Sequence, residues 1–204
     1  MGPLLAALAA YLIGSLSFAV IVSRVMGLSD PRTYGSGNPG ATNVLRSGSK
    51  AAAAGTLLLD AFKGWLPVML AQWFGAAHGL GEGTLALTGL AAFLGHLYPV
   101  YFRFAGGKGV ATALGVALAF SPWLGAALLL SWLIVVALSR YASLASIVAG
   151  LLAPAYGLLW HASGPKTLTL AAMGLLLIWR HRQNIQRLID GTESKLGQRK
   201  PPPP

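Results

Sequence analysis

Long apolar runs alternate with short polar, glycine-rich or basic stretches along this chain. The runs fall at residues 3–24, 51–74, 84–102, 106–120, 122–138, 143–160 and 168–179. Most are long enough to cross a hydrocarbon core about 30 Å thick as helices. The period-2 alternation of a membrane barrel is absent, so helices are left to satisfy the backbone in lipid. Residues 110–138 as one helix would form a rod of about 43 Å, too long for a single pass without strong tilt. Ser121 and Pro122 lie near its middle, where proline breaks a helix, and the spacing predicts two passes. The first run has no Lys or Arg before it and its first positive charge, Arg24, at its end, the reverse of a cleaved signal, and reads as a retained span.

The placement of charge supports the seven-helix count. With a break near Ser121, every Lys and Arg except the embedded Lys63 and the opposite Lys166 falls on one side of the membrane. The positive-inside rule then predicts an all-α integral membrane protein with seven transmembrane helices, the amino terminus outside and the carboxyl terminus cytoplasmic. Residues 1–190 read as one membrane domain and 191–204 as a disordered, proline-ended cytoplasmic tail. With 55% apolar and 10% charged residues the composition is far from that of a soluble domain. The net charge of +10 fits loops near anionic lipid and calls for no nucleic-acid partner. No internal repeat is evident. The chain has no cysteine, which excludes thiol nucleophiles, thiolate metal ligands and disulfides, and its four histidines are scattered with no HExxH frame.

Three polar segments carry the candidate chemistry, and the charge parity puts them on one face. The first is GSGNPGATN, residues 35–43, followed by Arg46. Its glycines spell GxGxxG with Asp60 downstream, but the segment follows a membrane span rather than a strand, so it is no dinucleotide fingerprint. Small residues let the backbone bring N–H groups to an anion, and Ser36, Thr42, Asn43 and Arg46 add hydroxyl, amide and positive charge. The second is GGKGVAT, residues 106–112, where Gly106, Gly107 and Lys108 place an ammonium beside a helix start, as phosphate sites do; it has no Walker A frame. The third is RHRQNI, residues 180–185, with His181 and Asn184 on one helix face. No carboxylate cluster for a metal appears, nor an acid–base pair of carboxylates. Basic groups with hydroxyls and amides make a site for a phosphorylated anion. An enzyme and a transporter or channel for such an anion both want that pocket. A transporter would also need polar groups continued to the outer side, and the outer halves of the spans carry almost none.

Asp60 and Lys63, three apart in an apolar helix, read as a mutually neutralising pair, with site support as the alternative. His96 and Tyr98 read as a packed histidine and an interfacial aromatic. His78, Glu82 and His161 fall on the outer side and have no assigned role.

In order and spacing, SGNPGATN with Arg46, then GGKGVAT, then HRQNI closely resemble the three motifs of the bacterial acyl-phosphate dependent glycerol-3-phosphate acyltransferases, the PlsY family. The likeness runs over the whole chain. It implies transfer of a fatty acyl group from acyl phosphate to the 1-hydroxyl of glycerol 3-phosphate in the bacterial inner membrane, on its cytoplasmic face, by a monomer without metal or cofactor. It implies phosphate binding by Ser36, Arg46, Lys108 and His181, and orientation of the glycerol by Asn184. Thr42, Gly106 and Gly107 would cradle the donor phosphate beside Asn43, and Ser146 is a further candidate for the glycerol hydroxyls. The HxxxxD motif of other acyltransferases is absent.

The topology is testable in this cysteine-free chain. Cysteine at Ser36, Gly106 or Gln183 should react with an impermeant maleimide only after the cytoplasmic side is opened, whereas cysteine at Gly79 or Ser163 should react in intact cells. External labelling at Gln183 but not at Ser36 would make residues 110–138 one pass and separate the three segments.

Overall fold

A computed structural model describes residues 1–162 and 164–197, with only the backbone of Ala76; the labelling position Ser163 lies outside the described residues. Among them there is no strand. Ten α-helices follow in order: α1 Gly2–Gly14, α2 Phe18–Val25, α3 Ala41–Val44, α4 Lys50–Gly75, α5 Glu82–Leu97, α6 Val110–Phe120, α7 Pro122–Ser139, α8 Ala142–Leu159, α9 Gly164–Arg180 and α10 Arg182–Ile189. Each of the seven apolar runs forms helix. Among the described residues, α4, α5 with the turn that follows it, α7 and α8 are long and apolar enough to cross a membrane, and α1 with α2 makes a fifth when the bent pair is one span. The eleven residues of α6 rise only about 16 Å.

The break inside residues 110–138 falls where expected. α6 ends at Phe120, Ser121 is extended at φ −161° and ψ 127°, and α7 starts on Pro122 at its first position, where a missing N–H costs nothing. The first run, by contrast, is not one helix: α1 and α2 are bent by 41°. Ser15 turns its hydroxyl back onto the Tyr11 carbonyl at 2.8 Å, a bond that competes with the helix ladder. The carbonyl freed at Leu16 is taken by Lys63 Nζ of α4 at 2.6 Å. Lys63 also pairs with Asp60 Oδ1 at 2.7 Å, and both side chains are almost fully buried. The embedded pair is therefore structural in a specific way: it neutralises itself and ties α4 to the bend in the first span.

Helices pack by backbone contact at glycines, as expected where lipid offers no hydrophobic drive for association. α1 lies on α5, α4 on α6, and α8 on both α7 and α9. A methyl group at Gly14 would sit 2.1 Å from the Ala92 carbonyl oxygen, one at Gly115 1.9 Å from that of Ala61, and one at Gly174 2.4 Å from that of Gly150. Phe93, Leu97, Val116, Leu124 and Leu170 fill the interior. Leu58, Trp123, Leu130, Leu151 and Leu175 point outward, as a lipid-facing surface requires.

The helices alternate in direction, so two loop clusters form. One end carries the 26–49 loop, the 98–109 loop, the Arg140 turn and α10. The other gathers Glu82, Ser121, Trp160 and Lys166 around a cavity of about 330 Å³, with Lys166 Nζ 2.7 Å from Glu82 Oε2. Residues 191–197, expected to begin a disordered tail, instead lie against the first end. Glu193 bonds to Ser143, and the Leu196 amide to the Arg140 carbonyl at 2.8 Å. Residues 198–204 lie outside the described residues.

Gly115→Ala should lower stability by roughly 1–3 kcal/mol, because overpacked backbone contacts cannot relax. Gly83→Ala, with open space around it and an exposed helical position, should be neutral or gain up to about 1 kcal/mol. Thermal unfolding in detergent reads both.

Candidate active site

The first loop is organised by an amide buried under it. Asn43 is 2% exposed. Its Oδ1 accepts the Ser36 N–H at 3.0 Å, and its Nδ2 donates to the Pro31 carbonyl at 2.6 Å and to the Tyr34 carbonyl at 3.1 Å. Gly35 runs beneath it at φ +63°, where a methyl group would meet Asn43 Oδ1 at 2.2 Å, so only glycine fits. Asn43, expected to touch substrate, spends its hydrogen bonds on this loop and shapes it. Ser36, Thr42 and Arg46 are exposed on the loop, and Arg46 Nη2 donates to Ser194 Oγ at 2.8 Å. Arg32 is held by Asp30, Nη2 to Oδ2 at 2.6 Å, and that contact keeps the Asp30 carboxyl below its ordinary range.

The second loop is pressed onto the end of α5. Its Gly107 N–H donates to the His96 carbonyl at 3.2 Å. A methyl group at Gly106 would lie 2.2 Å from the same oxygen, and one at Gly107 2.3 Å from His96 Nε2 and 3.0 Å from the Pro39 carbonyl oxygen. The two glycine loops thus meet, and a side chain at Gly106, the labelling position suggested by sequence, has no room. Arg180 fastens the loop from α9, donating from Nη2 to the Gly106 carbonyl at 2.7 Å and from Nε to the Gly107 carbonyl at 3.2 Å, over the Tyr98 ring. The Gly107 amide, expected to be free for an anion, is engaged. What the loop offers outward is Lys108.

Lys108 Nζ donates to Asn184 Oδ1, joining the second and third segments. Asn184 Nδ2 donates to Glu193 Oε1 at 2.6 Å, which also accepts from Ser143 Oγ at 2.7 Å, while Glu193 Oε2 accepts from Arg187 Nε at 2.7 Å. Burial works against ionisation of Glu193, but these hydrogen bonds outweigh it and hold the carboxyl below its ordinary range. Burial lowers the Lys108 ammonium to about 8; the Glu193 carboxylate opposes that shift, and Arg187, Arg180 and Arg46 add to it. His181, 3% exposed, is pushed down to about 4, mainly by burial and then by Lys108. Its Nδ1 lies 2.8 Å from the Leu177 carbonyl and must be the donor there, so Nε2 of the neutral ring is an acceptor.

Ser146 does not join this group. It is buried between α7 and α8, donating to the Ala142 carbonyl at 2.7 Å and accepting from Trp132 Nε1 at 3.1 Å; Ser143, one turn earlier, is the serine at the site. Glu193, Ser143, Arg180 and Arg187 are the members that sequence reasoning missed. One signal was available: Glu193 is one of only five acidic residues and lies nine positions past Asn184, in a stretch set aside as tail. The result is a cluster of Arg46, Lys108, Arg180 and Arg187 around a single carboxylate, suited to an anion of more than one negative charge.

Fold and site together define a multi-pass helical membrane protein with a cationic, amide- and hydroxyl-rich site at one end of its bundle. A family model described as glycerol-3-phosphate acyltransferase matches residues 4–191. Proteins named glycerol-3-phosphate acyltransferase from Albidiferax ferrireducens and Paraburkholderia xenovorans are 64% identical over 202 residues, covering 97% of this chain and 90% of the relative, and 60% identical over 203 residues, covering 98% and 94%. The crystal structure of PlsY (YgiH), an integral membrane glycerol 3-phosphate acyltransferase, in its glycerol 3-phosphate form matches with TM-score 0.89 at 41% identity over 97% of this chain and 96% of that one. Its lysophosphatidic acid form matches with TM-score 0.88 at 40% identity. The chain belongs to the glycerol-3-phosphate acyltransferase family.

The depressed Lys108 pKa carries a pH signature. The ammonium is charged below about 8 and neutral above it, so affinity for phosphate dianions should be full at pH 7 and fall as pH rises through that value. Lys108→Arg, always charged, should lose this limb. Inhibition by inorganic phosphate measured from pH 6.5 to about 9.5 checks both; an unchanged limb in Lys108→Arg would assign it to another group.

Proposed function

We propose that this protein transfers a fatty acyl group from acyl phosphate to the 1-hydroxyl of glycerol 3-phosphate, releasing lysophosphatidic acid and inorganic phosphate, the first acylation of phospholipid synthesis. The observation that carries this reading is the meeting of three distant polar segments, with Lys108 bonded to Asn184 and its neighbour Gly107 packed against Pro39 of the first glycine loop. An acyl phosphate is a mixed anhydride with a good leaving group, so the reaction needs no covalent serine or thiol. It needs two phosphates held by cations and hydrogen-bond donors at the membrane surface, with the chain in lipid.

Lys108 and Asn184 take glycerol 3-phosphate, the ammonium on its phosphate and the amide on its glycerol. Arg46, Ser36 and Thr42, exposed on the first loop, take the acyl phosphate. The glycerol 1-hydroxyl oxygen attacks the acyl carbonyl carbon, the carbon–oxygen bond to phosphate breaks, and phosphate leaves with the bond electrons. The hydroxyl proton passes to substrate phosphate. Neutral His181 fits this scheme better as an acceptor from a glycerol hydroxyl than as a phosphate ligand, because its Nε2 carries a lone pair.

The active end lies in the cytoplasm, with seven passes, an outside amino terminus and an inner-membrane location; the basic residues gathered at that end support this orientation. A channel or transporter is disfavoured by Phe93, Leu97, Val116 and Leu124, which close the interior between the two ends.

Purified protein should release inorganic phosphate from palmitoyl phosphate only when glycerol 3-phosphate is present, and palmitoyl-CoA should not substitute. Arg46→Ala and Lys108→Ala should each retain under about a tenth of wild-type turnover while remaining folded, since lost charge stabilisation is worth roughly 2–4 kcal/mol. Equal rates with palmitoyl-CoA would overturn the donor assignment.

A further inference from the structure

Two buried polar atoms in the bundle face each other, Asp60 Oδ1 on α4 and His96 Nδ1 on α5, 3.7 Å apart; the oxygen is the one that pairs with Lys63, and the imidazole nitrogen is buried without a hydrogen bond. Lys63 neutralises Asp60 from one side at 2.7 Å and is itself anchored on the Leu16 carbonyl. Such a charged cluster is costly in an apolar interior unless its members hold one another, and here it forms a fixed point between the first span, α4 and α5. The far edge of the imidazole faces the second glycine loop. A methyl group on Gly107 would lie 2.3 Å from His96 Nε2, and the His96 carbonyl accepts the Gly107 amide. His96 is thus wedged between the buried ion pair and the residue that precedes Lys108.

An imidazole whose one nitrogen faces a carboxylate has its ring orientation and its other nitrogen set by that carboxylate. We propose that Asp60 and His96 are positioning residues of the acyltransfer site: the carboxylate orients the imidazole, and the imidazole holds the Gly107 backbone, and with it Lys108, where the ammonium meets Asn184 and phosphate. This role goes beyond the mutual neutralisation of Asp60 and Lys63. It rests on the assignment of Lys108 to glycerol 3-phosphate.

The full chain in detergent tests it, with calorimetric affinity for glycerol 3-phosphate as the readout alongside thermal unfolding. His96→Leu removes both ring nitrogens, whereas His96→Asn keeps a nitrogen at the Nδ1 position facing Asp60. His96→Leu should bind glycerol 3-phosphate about tenfold more weakly, with an unfolding temperature within a few degrees of wild type, and His96→Asn, which faces Asp60 but does not reach Gly107, should recover little of that loss. His96→Leu combined with Lys108→Ala should bind no more weakly than Lys108→Ala alone, because the ring acts through the ammonium. Wild-type affinity in His96→Leu, or full additivity in the double variant, overturns the proposal. If His96→Leu does not fold, His96→Gln, whose amide reaches the Nε2 position but not Asp60, serves in its place, and unchanged affinity there overturns it equally. If instead Lys108→Ala itself binds glycerol 3-phosphate as tightly as wild type, the Lys108 assignment fails, and the positioning role fails with it.

Discussion

Close approach of backbone to backbone is the constraint on which this structure rests. In lipid no hydrophobic gain drives helix against helix, and cohesion comes from van der Waals contact at short range. Where α4 meets α6, the Ala61 carbonyl occupies the space a side chain at Gly115 would need. The same device recurs at the polar end. Gly106 and Gly107 lie on the last carbonyls of α5, so Lys108 leaves the bundle at a defined height rather than from a loose loop. Interior packing and site geometry therefore share one physical cause.

Electrostatic balance at the site follows from the scarcity of acid in the chain. Four basic side chains collect around one carboxylate, and that carboxylate is used fully: Glu193 joins α8 through Ser143 and α10 through Asn184 and Arg187. The balance of charge at the site therefore stays positive. Burial keeps His181 neutral and brings Lys108 near the working pH, so the two groups differ in role although they sit close together. The ammonium attracts charge, while the imidazole accepts a proton donor.

The broken first span shows how one local defect is absorbed. Ser15 competes with the helix ladder, the bend frees the Leu16 carbonyl, and Lys63 fills it while paired with Asp60. A charge pair that looks hazardous in an apolar helix is thereby a fastening among three elements.

Much was legible in the sequence because the physics involved is local. Apolar run length dictated helices, Ser121 before Pro122 dictated the break between α6 and α7, and the polar segments around Ser36, Lys108 and His181 declared themselves by residue type against an oily background. Their family resemblance was legible for the same reason, since short motifs keep their spacing. Other features depended on which distant groups met. Asn43 pins its loop because Pro31 and Tyr34 present carbonyls to it. Ser143 rather than Ser146 reaches the site because helix rotation puts one toward Glu193 and the other toward Trp132. Glu193 offered only its rarity among acidic residues as a signal, since nothing in its neighbours announces an acceptor shared by two helices. The partner of the carbonyl freed at Leu16 is a lysine 47 positions away. Run length, charge parity and motif chemistry are sums over neighbours, which a sequence contains; hydrogen-bond partners across a bundle are set by rotation and depth of packed helices, which only the tertiary structure decides.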